Sequence, residues 1–465
     1  MSVNQKKIFY FIAIGGVGMS ALAKYLAEKG YTVYGSDSAE SKYTHLLEEK
    51  GIKVYIGHDE NNIKKNMVIV ASSAIKNDNP ELKKAQELKL KIHHRSDILK
   101  MISDEFSNNK NSCYIGFSGT HGKTTTSGLC SYLLNKAGFC PSFVVGGIIP
   151  DLNTNGEYNQ DKYFIAELDE SDGTIEKYST DISVINNLEE DHLDYYKNGF
   201  EDISNTFNKF LSNKPDQKVI INIDNDGCKK FMKKYPGYNY ITFGLKEADY
   251  TAKDITYSGL GSSFDIFLSG QKTETISLSI PGEHNVYNAL AVYAAIKEAG
   301  IDTKNLIKYF YEFSGMGRRF QKVCDINNIK IYDDYAHHPS EIKTTLNSVK
   351  KALQKNQRLI AVFQPHRYTR LKSLWNDFKE SFHNADLLLI TDVYPAGEKE
   401  IANITSDKFA KELKNKDVKY ISGSMDECTE KIFPLLKEGD IVITLGAGTI
   451  TQLGGLLEKK LKGNS

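Results

Sequence analysis

Excess charge of one sign, paired cysteines, long apolar runs and arginine are all scarce in this 465-residue chain, and each shortage excludes something. Lysine plus arginine and aspartate plus glutamate both total 59, so no net charge or basic tract points to nucleic acid or an anionic membrane. The six cysteines, Cys113, Cys130, Cys140, Cys228, Cys324 and Cys428, show neither the spacing of a zinc site nor the density of a disulfide scaffold. A reducing, cytoplasmic setting is expected. No run is long enough to span a bilayer, so no membrane insertion is expected. The N-terminal stretch KKIFYFIAIGGVGM looks like a signal peptide until Gly15-Gly16 breaks it. It continues as the amphipathic SALAKYLAEKG without a small-residue cleavage site.

The length exceeds what one hydrophobic core supports, and about three domains are expected. Ile8 to Ile14 reads as a buried strand, Gly15 to Gly18 as a tight turn and Met19 to Lys29 as a helix. A second strand, Thr32 to Gly35, leads to Asp37, giving a βαβ opening. The polar segment Ser103 to Ser112 reads as the first boundary. Strands ending near Glu167 and Asn186 follow, then strict alternation between Tyr250 and Ile280 that suggests an antiparallel edge on a mostly parallel sheet. Beyond Gly317, strands and helices alternate again as a further doubly wound unit. The domains are therefore expected at 1–107, 108–316 and 317–465, in an α/β fold.

The richest motif is CYIGFSGTHGKTTT, Cys113 to Thr126. Gly119 and Gly122 let the backbone curl so that several N–H groups face one anion, with Thr120 and His121 between them. Lys123 then reaches the β and γ phosphates, and Thr124 supplies a hydroxyl for Mg²⁺. The longer phosphate-loop pattern wants glycine where Phe117 stands, so the match is to a shorter Gly-Thr-X-Gly-Lys-Thr form.

Other residues are suggestive in combination. The N-terminal turn has Ala13 where a dinucleotide fingerprint has glycine, then Gly15 and Gly18, with Asp37 placed to bond a ribose hydroxyl. A nicotinamide site, a nucleotide-sugar site and a plain turn all fit it. Glu167 and His192 follow strand ends and suit a metal beside the phosphates, although Glu167, Asp169, Glu170 and Asp172 also suit a solvated acidic turn. Asn285 and Asn288, at a helix start, fit either a cap or a nucleotide contact. Only six of 59 cationic side chains are arginine, yet four cluster as Arg318-Arg319 and Arg367 with Arg370, where a planar fork for phosphate or carboxylate is expected. Between them, IYDDYAHHPSE gathers Asp334, His337 and His338 at a strand end, before a helix that Ser340 suits as a cap.

Taken in order, IAIGGVGMSALA, VASSAIKNDNPEL, GTHGKTTT, ELDESDG, NNLEEDH, GEHNVYNALA, GMGRRF, DDYAHHPSE and FQPHRYTR resemble the Mur ligases over essentially the whole chain. The resemblance implies a Rossmann-like N-terminal UDP-sugar domain, a central P-loop ATPase domain and a Rossmann-like C-terminal domain. It implies ATP and Mg²⁺, with UDP-N-acetylmuramate and L-alanine as substrates, in a monomer or homodimer. It assigns Gly119 to Thr125, Asn285, Asn288, Arg319 and Asp334 to ATP, and Thr124, Glu167 and His192 to metal. Gly15, Gly16, Gly18, Met19, Asp37, Ser72 and Ser73 would serve the UDP moiety. His337, His338, His366, Arg367 and Arg370 would lie near the carboxylate and the incoming amine, with His337 or His338 taking its proton.

Overall fold

Strands such as Cys113–Ser118 and Leu387–Thr391 lack polar alternation because both faces are covered, and every residue in them is buried. The computed structural model describes residues 7–72, 75–160, 162–193, 195–354, 356–413 and 417–463. Ser73, one of the expected UDP residues, lies outside them.

Three sheets run in chain order. The first holds β1 (Ile8–Ile12), β2 (Thr32–Asp37), β3 (Lys53–Ile56), β4 (Met67–Ala71) and β5 (Ile92–His94) in the order β3-β2-β1-β4-β5, all parallel. This is the doubly wound arrangement, with a crevice at the strands' carboxyl ends. The second has ten strands, β6 (Cys113–Ser118), β7 (Ser142–Ile149), β8 (Thr154–Glu157), β9 (Tyr163–Glu167), β10 (Ile182–Ile185), β11 (Lys218–Asn222), β12 (Asn239–Gly244), β13 (Tyr250–Ser258), β14 (Gly261–Leu268) and β15 (Gln271–Leu278). Their order is β15-β14-β13-β12-β11-β10-β6-β9-β7-β8, so the alternating segment forms three consecutive strands at one edge. The third holds β16 (Gln321–Ile326), β17 (Ile329–Asp334), β18 (Leu359–Phe363), β19 (Leu387–Thr391), β20 (Val418–Ile421) and β21 (Ile441–Leu445), parallel except for the edge pair β16–β17. Two compact units divide the chain: Met1–Asp254 with Phe264–Ile276 and Tyr287–Phe310, and Ile255–Ser263 with Ser277–Val286 and Tyr311–Ser465.

The segment Ser103 to Ser112, read as the first boundary, is half helix. Helix Arg95–Ser107 runs through it because Ile102, Ser103 and Phe106 are buried. Ser103 Oγ donates to Tyr114 Oη at 3.1 Å, and the Phe106 ring stacks on Phe164 at 4.7 Å. Polar composition hid the helix because Ser103 serves its inner face.

Within the first unit, helix Val17–Glu28 lies against β8: Lys24 Nζ donates to Gly156 O at 2.6 Å and Asn155 Nδ2 to Val17 O at 2.8 Å. A Cβ at Gly156 would sit 2.8 Å from Ala21 O, so only glycine allows this approach.

Ala13 adopts φ 63°, a left-handed conformation that costs an L-residue about 1–2 kcal/mol. Replacing it by glycine removes that strain but adds chain entropy to the unfolded state. Ala13→Gly is expected to stabilise the protein by about 1 kcal/mol, read as a raised urea midpoint at unchanged slope. A lower midpoint would show that the turn is relaxed with alanine.

Candidate active site

The central sheet places the phosphate loop. Strand β6 lies between β9 and β10, with Phe117 opposite Glu167 and Ser118 opposite Ile185. The loop after β6 therefore emerges between two neighbouring strand ends. Gly119 (φ 119°) and Gly122 (φ 83°) hold conformations open to glycine, and a Cβ on Gly119 would meet Asn187 O at 2.8 Å. Asn187, just past β10, braces the curl: its carbonyl accepts from Thr120 N (3.1 Å) and its side chain accepts from His121 N (2.7 Å). Asn186 Nδ2 donates to Thr126 Oγ1 (3.2 Å), while Thr125 opens the helix Lys123–Lys136 partly exposed. Asn288 belongs to this region too, since a Cβ on Gly122 would lie 2.7 Å from its Oδ1. Asn285 donates through Nδ2 to Pro281 O at 2.7 Å, at the entry to its own helix.

Lys123 is the electrostatic centre of the loop. Its ammonium donates to Gly119 O (2.7 Å), Thr120 O (3.2 Å) and Glu170 Oε1 (2.9 Å). Glu170 is 3% exposed, so the solvated-turn alternative fails for it. Burial pushes its carboxyl up, Lys123 pulls it back, and Oε2 is buried without a hydrogen-bond partner. Sequence reading gave Glu170, Asn186 and Asn187 no part in shaping this loop. Their available signal was position, at or just past the ends of the strands that flank β6.

Thr124 and Glu167 are brought together: Thr124 Oγ1 donates to Glu167 Oε1 at 3.1 Å, and Oε2 accepts from Gly146 N at 2.8 Å. Beside a phosphate loop, this hydroxyl and carboxylate fit Mg²⁺, a hard cation commonly held by one or two protein oxygens together with nucleotide phosphates. The His192 ring faces Asp191 at 3.8 Å and is 38% exposed. Among the described residues no three His, Cys, Asp or Glu side chains cluster as a metal cage.

At the glycine turn, Gly15 N donates to Asp37 Oδ2 at 2.8 Å and Gly16 N to Ala13 O at 3.2 Å. Asp37 thus steadies the turn with one carboxylate oxygen. Gly18 stands in the first turn of helix Val17–Glu28, whereas the Met19 side chain is 2% exposed and belongs to the core. Ser72 follows β4, partly exposed.

In the second unit the two arginines of GMGRRF separate. Arg318 donates through Nη2 to Gly446 O at 2.7 Å and holds the fold, whereas Arg319 is 44% exposed, near Glu341 at 4.0 Å. Asp334 is buried, its Oδ1 accepting from Ala336 N (2.7 Å) and its Oδ2 from Phe320 N (3.0 Å). Burial raises its carboxyl to about 6 despite those bonds. His337 Nδ1 lies 2.9 Å from Tyr335 O, a contact that requires Nδ1–H as donor and leaves the Nε2 lone pair open. Burial also lowers this imidazole below its ordinary range. His338 is exposed and contacts Ser340 Oγ at 3.0 Å, at the start of helix Pro339–Ala352. Glu341, not Ser340, accepts from the backbone N of both His337 and His338.

The His366 ring stacks on Tyr394 at 5.5 Å and lies 6.0 Å from that of His337. Its Nδ1 is 3.1 Å from Arg370 Nη1, and burial followed by that guanidinium lowers it to about 4. Arg367, at φ 70° and ψ 134°, is held in an unfavourable conformation by its N–H bond to Tyr394 O (2.9 Å).

Residues 8–107 match the Mur ligase family catalytic domain, 117–296 the Mur ligase middle domain and 318–448 the Mur ligase glutamate ligase domain. UDP-N-acetylmuramate--L-alanine ligase of Geotalea daltonii is 39% identical over 97% of this chain and 98% of its own. That of Dictyoglomus turgidum is 38% identical over 98% and 97%. The crystal structure of UDP-N-acetylmuramate-alanine ligase from Thermotoga maritima superposes with a TM-score of 0.84 at 28% identity, covering 99% of this chain and all of the other. With a phosphate loop between paired strand ends and full-length likeness of this order, the chain belongs to the Mur ligase family.

Proposed function

We propose that the protein joins L-alanine to the lactyl carboxylate of UDP-N-acetylmuramate using ATP, releasing ADP and phosphate, in peptidoglycan precursor synthesis. The observation that carries this is the Lys123 loop beside Thr124–Glu167, in a chain 39% identical over nearly its whole length to a protein named for that reaction. The cytoplasm, which holds ATP and UDP-sugars, is the proposed location. Six free cysteines accord with it, and among the described residues no helix is long and apolar enough to cross a membrane.

A carboxylate is a poor acyl donor at neutral pH. In the proposed path the lactyl carboxylate attacks the γ-phosphate, ADP leaves, and the neutral amine of alanine attacks the acyl phosphate and expels phosphate. Both steps gather negative charge, which loop N–H groups and Lys123 are placed to stabilise. Thr124 and Glu167 would hold Mg²⁺, with His192 as the further candidate; the bound ion supplies positive charge at the phosphates. Asn285, Asn288, Arg319 and Asp334 are assigned to the nucleotide. Gly15, Gly16, Gly18, Met19 and Asp37, with Ser72 and Ser73, are assigned to the UDP moiety.

His338, His366, Arg367 and Arg370 are assigned to the carboxylate and the amine. Of the two candidate bases His337 is favoured, because its tautomer leaves Nε2 able to take a proton. Being held below the ordinary range, it stays neutral at pH 7 and loses that capacity only as pH falls through its lowered value. The kcat profile is expected to have an acid limb below about pH 6.5. His337→Gln is expected to lower kcat about 100-fold and abolish that limb. An unchanged limb in the variant would assign the proton to another group.

The function is tested by phosphate release from ATP with UDP-N-acetylmuramate and Mg²⁺, comparing L-alanine with the tripeptide L-Ala-γ-D-Glu-diaminopimelate. Release with alanine and the matching product mass is expected. Release with the tripeptide alone would replace this reading by a recycling role.

A further inference from the structure

Arg95 is one of only six arginines and falls outside both arginine clusters. It opens helix Arg95–Ser107 directly after β5, and its Nη2 donates to Asp169 Oδ2 at 2.7 Å. The other terminal nitrogen looks toward the glycine turn: a Cβ on Gly18 would lie 3.3 Å from Nη1. The guanidinium, 30% exposed, thus stands between the first turn of helix Val17–Glu28 and the acidic turn whose next residue, Glu170, binds Lys123. Burial works to raise the Asp169 carboxyl, but Arg95 prevails and holds it down at about 2, so the pair stays ionised at neutral pH.

One terminal nitrogen of the planar fork is therefore held by a carboxylate, while the other is left facing the helix start. A lysine would satisfy one anion as a point charge, whereas a fork held in this way presents oriented N–H groups to a second. The backbone N–H groups at the start of helix Val17–Glu28 favour the same ligand, an anion.

We infer that Arg95 binds the diphosphate of the UDP-sugar and that Asp169 is the positioning residue that aims it, an inference that rests on the UDP-sugar reading above.

The test is binding of UDP by calorimetry and of uridine by saturation-transfer NMR to the full-length protein and its variants. Arg95→Gln is expected to weaken UDP about tenfold and leave uridine unchanged, the pattern for a lost charge-assisted bond to phosphate. Arg95→Lys keeps the charge beside Asp169 and loses the fork, so an intermediate loss at unchanged melting temperature is expected. Asp169→Asn is expected to weaken UDP by about threefold, again sparing uridine. UDP binding equal to wild type in Arg95→Gln, or parallel loss of UDP and uridine in both Arg95 variants, would overturn the assignment alone. Failure of the wild-type protein to bind UDP would overturn the UDP-sugar reading and the assignment with it.

Discussion

Lys123→Ala is expected to reduce ADP formation by about 1,000-fold or more while UDP-sugar affinity stays within about threefold of wild type. The first part follows from the charge that phosphoryl transfer gathers at the loop, the second from the separate support of the glycine turn by Asp37. The substitution has a further effect that loop chemistry alone does not predict. It strands Glu170, a carboxylate 3% exposed with one oxygen already lacking a partner, and removing one member of a buried pair costs about 3–5 kcal/mol. Lys123→Ala is therefore expected to melt early. Glu170→Gln added to it should recover much of that stability by removing the uncompensated charge, with no recovery of turnover. Recovery of turnover in the double variant would mean that Lys123 serves the fold and not the chemistry. Intact stability in the single variant would mean that the buried pair is relieved by water or rearrangement.

Glu167→Gln carries the next largest effect, an expected loss of about 100- to 1,000-fold in kcat with a raised Mg²⁺ requirement. The carboxylate accepts from Thr124 Oγ1 and Gly146 N. The amide keeps the size of the group but loses its negative charge and sets an NH₂ against one of those donors. A Cβ on Gly146 would come within 2.4 Å of Glu167 Oε2, so Gly146→Ala should push the carboxylate aside and reproduce part of the defect without altering its chemistry. If activity recovers in neither variant as Mg²⁺ is raised, Glu167 acts by holding the loop and not through the ion.

What was legible in the sequence follows from how locally each feature is encoded. The phosphate loop is contiguous, because a backbone cradle needs glycine, lysine and hydroxyl side by side. The first and third sheets in chain order are legible because strands covered on both faces are written as short apolar runs. Partners brought together across strands are not written locally. Asn186 and Asn187 support the loop only because β10 lies beside β6, and Glu170 reaches Lys123 only because β9 lies on the other side. Arg95 meets Asp169 across 74 residues of chain. Edge strand β16 lacked a signal for another reason: its pairing with β17 carries an irregularity between Lys322 and Cys324, which breaks the alternation that would have announced it. Asp37 was expected to serve a ribose, and its observed bond to Gly15 N gives it work within the turn that spacing alone did not reveal.

Activation of a carboxylate by ATP for attack by alanine can be followed by isotope transfer. UDP-N-acetylmuramate carrying ¹⁸O in its lactyl carboxylate is incubated with the enzyme, ATP, Mg²⁺ and L-alanine, and the phosphate and the product are analysed by mass spectrometry. One ¹⁸O atom is expected in the released phosphate and the other in the new amide carbonyl. Unlabelled phosphate alongside alanine-containing product would contradict activation through an acyl phosphate, and phosphate release without that product would contradict the ligation itself.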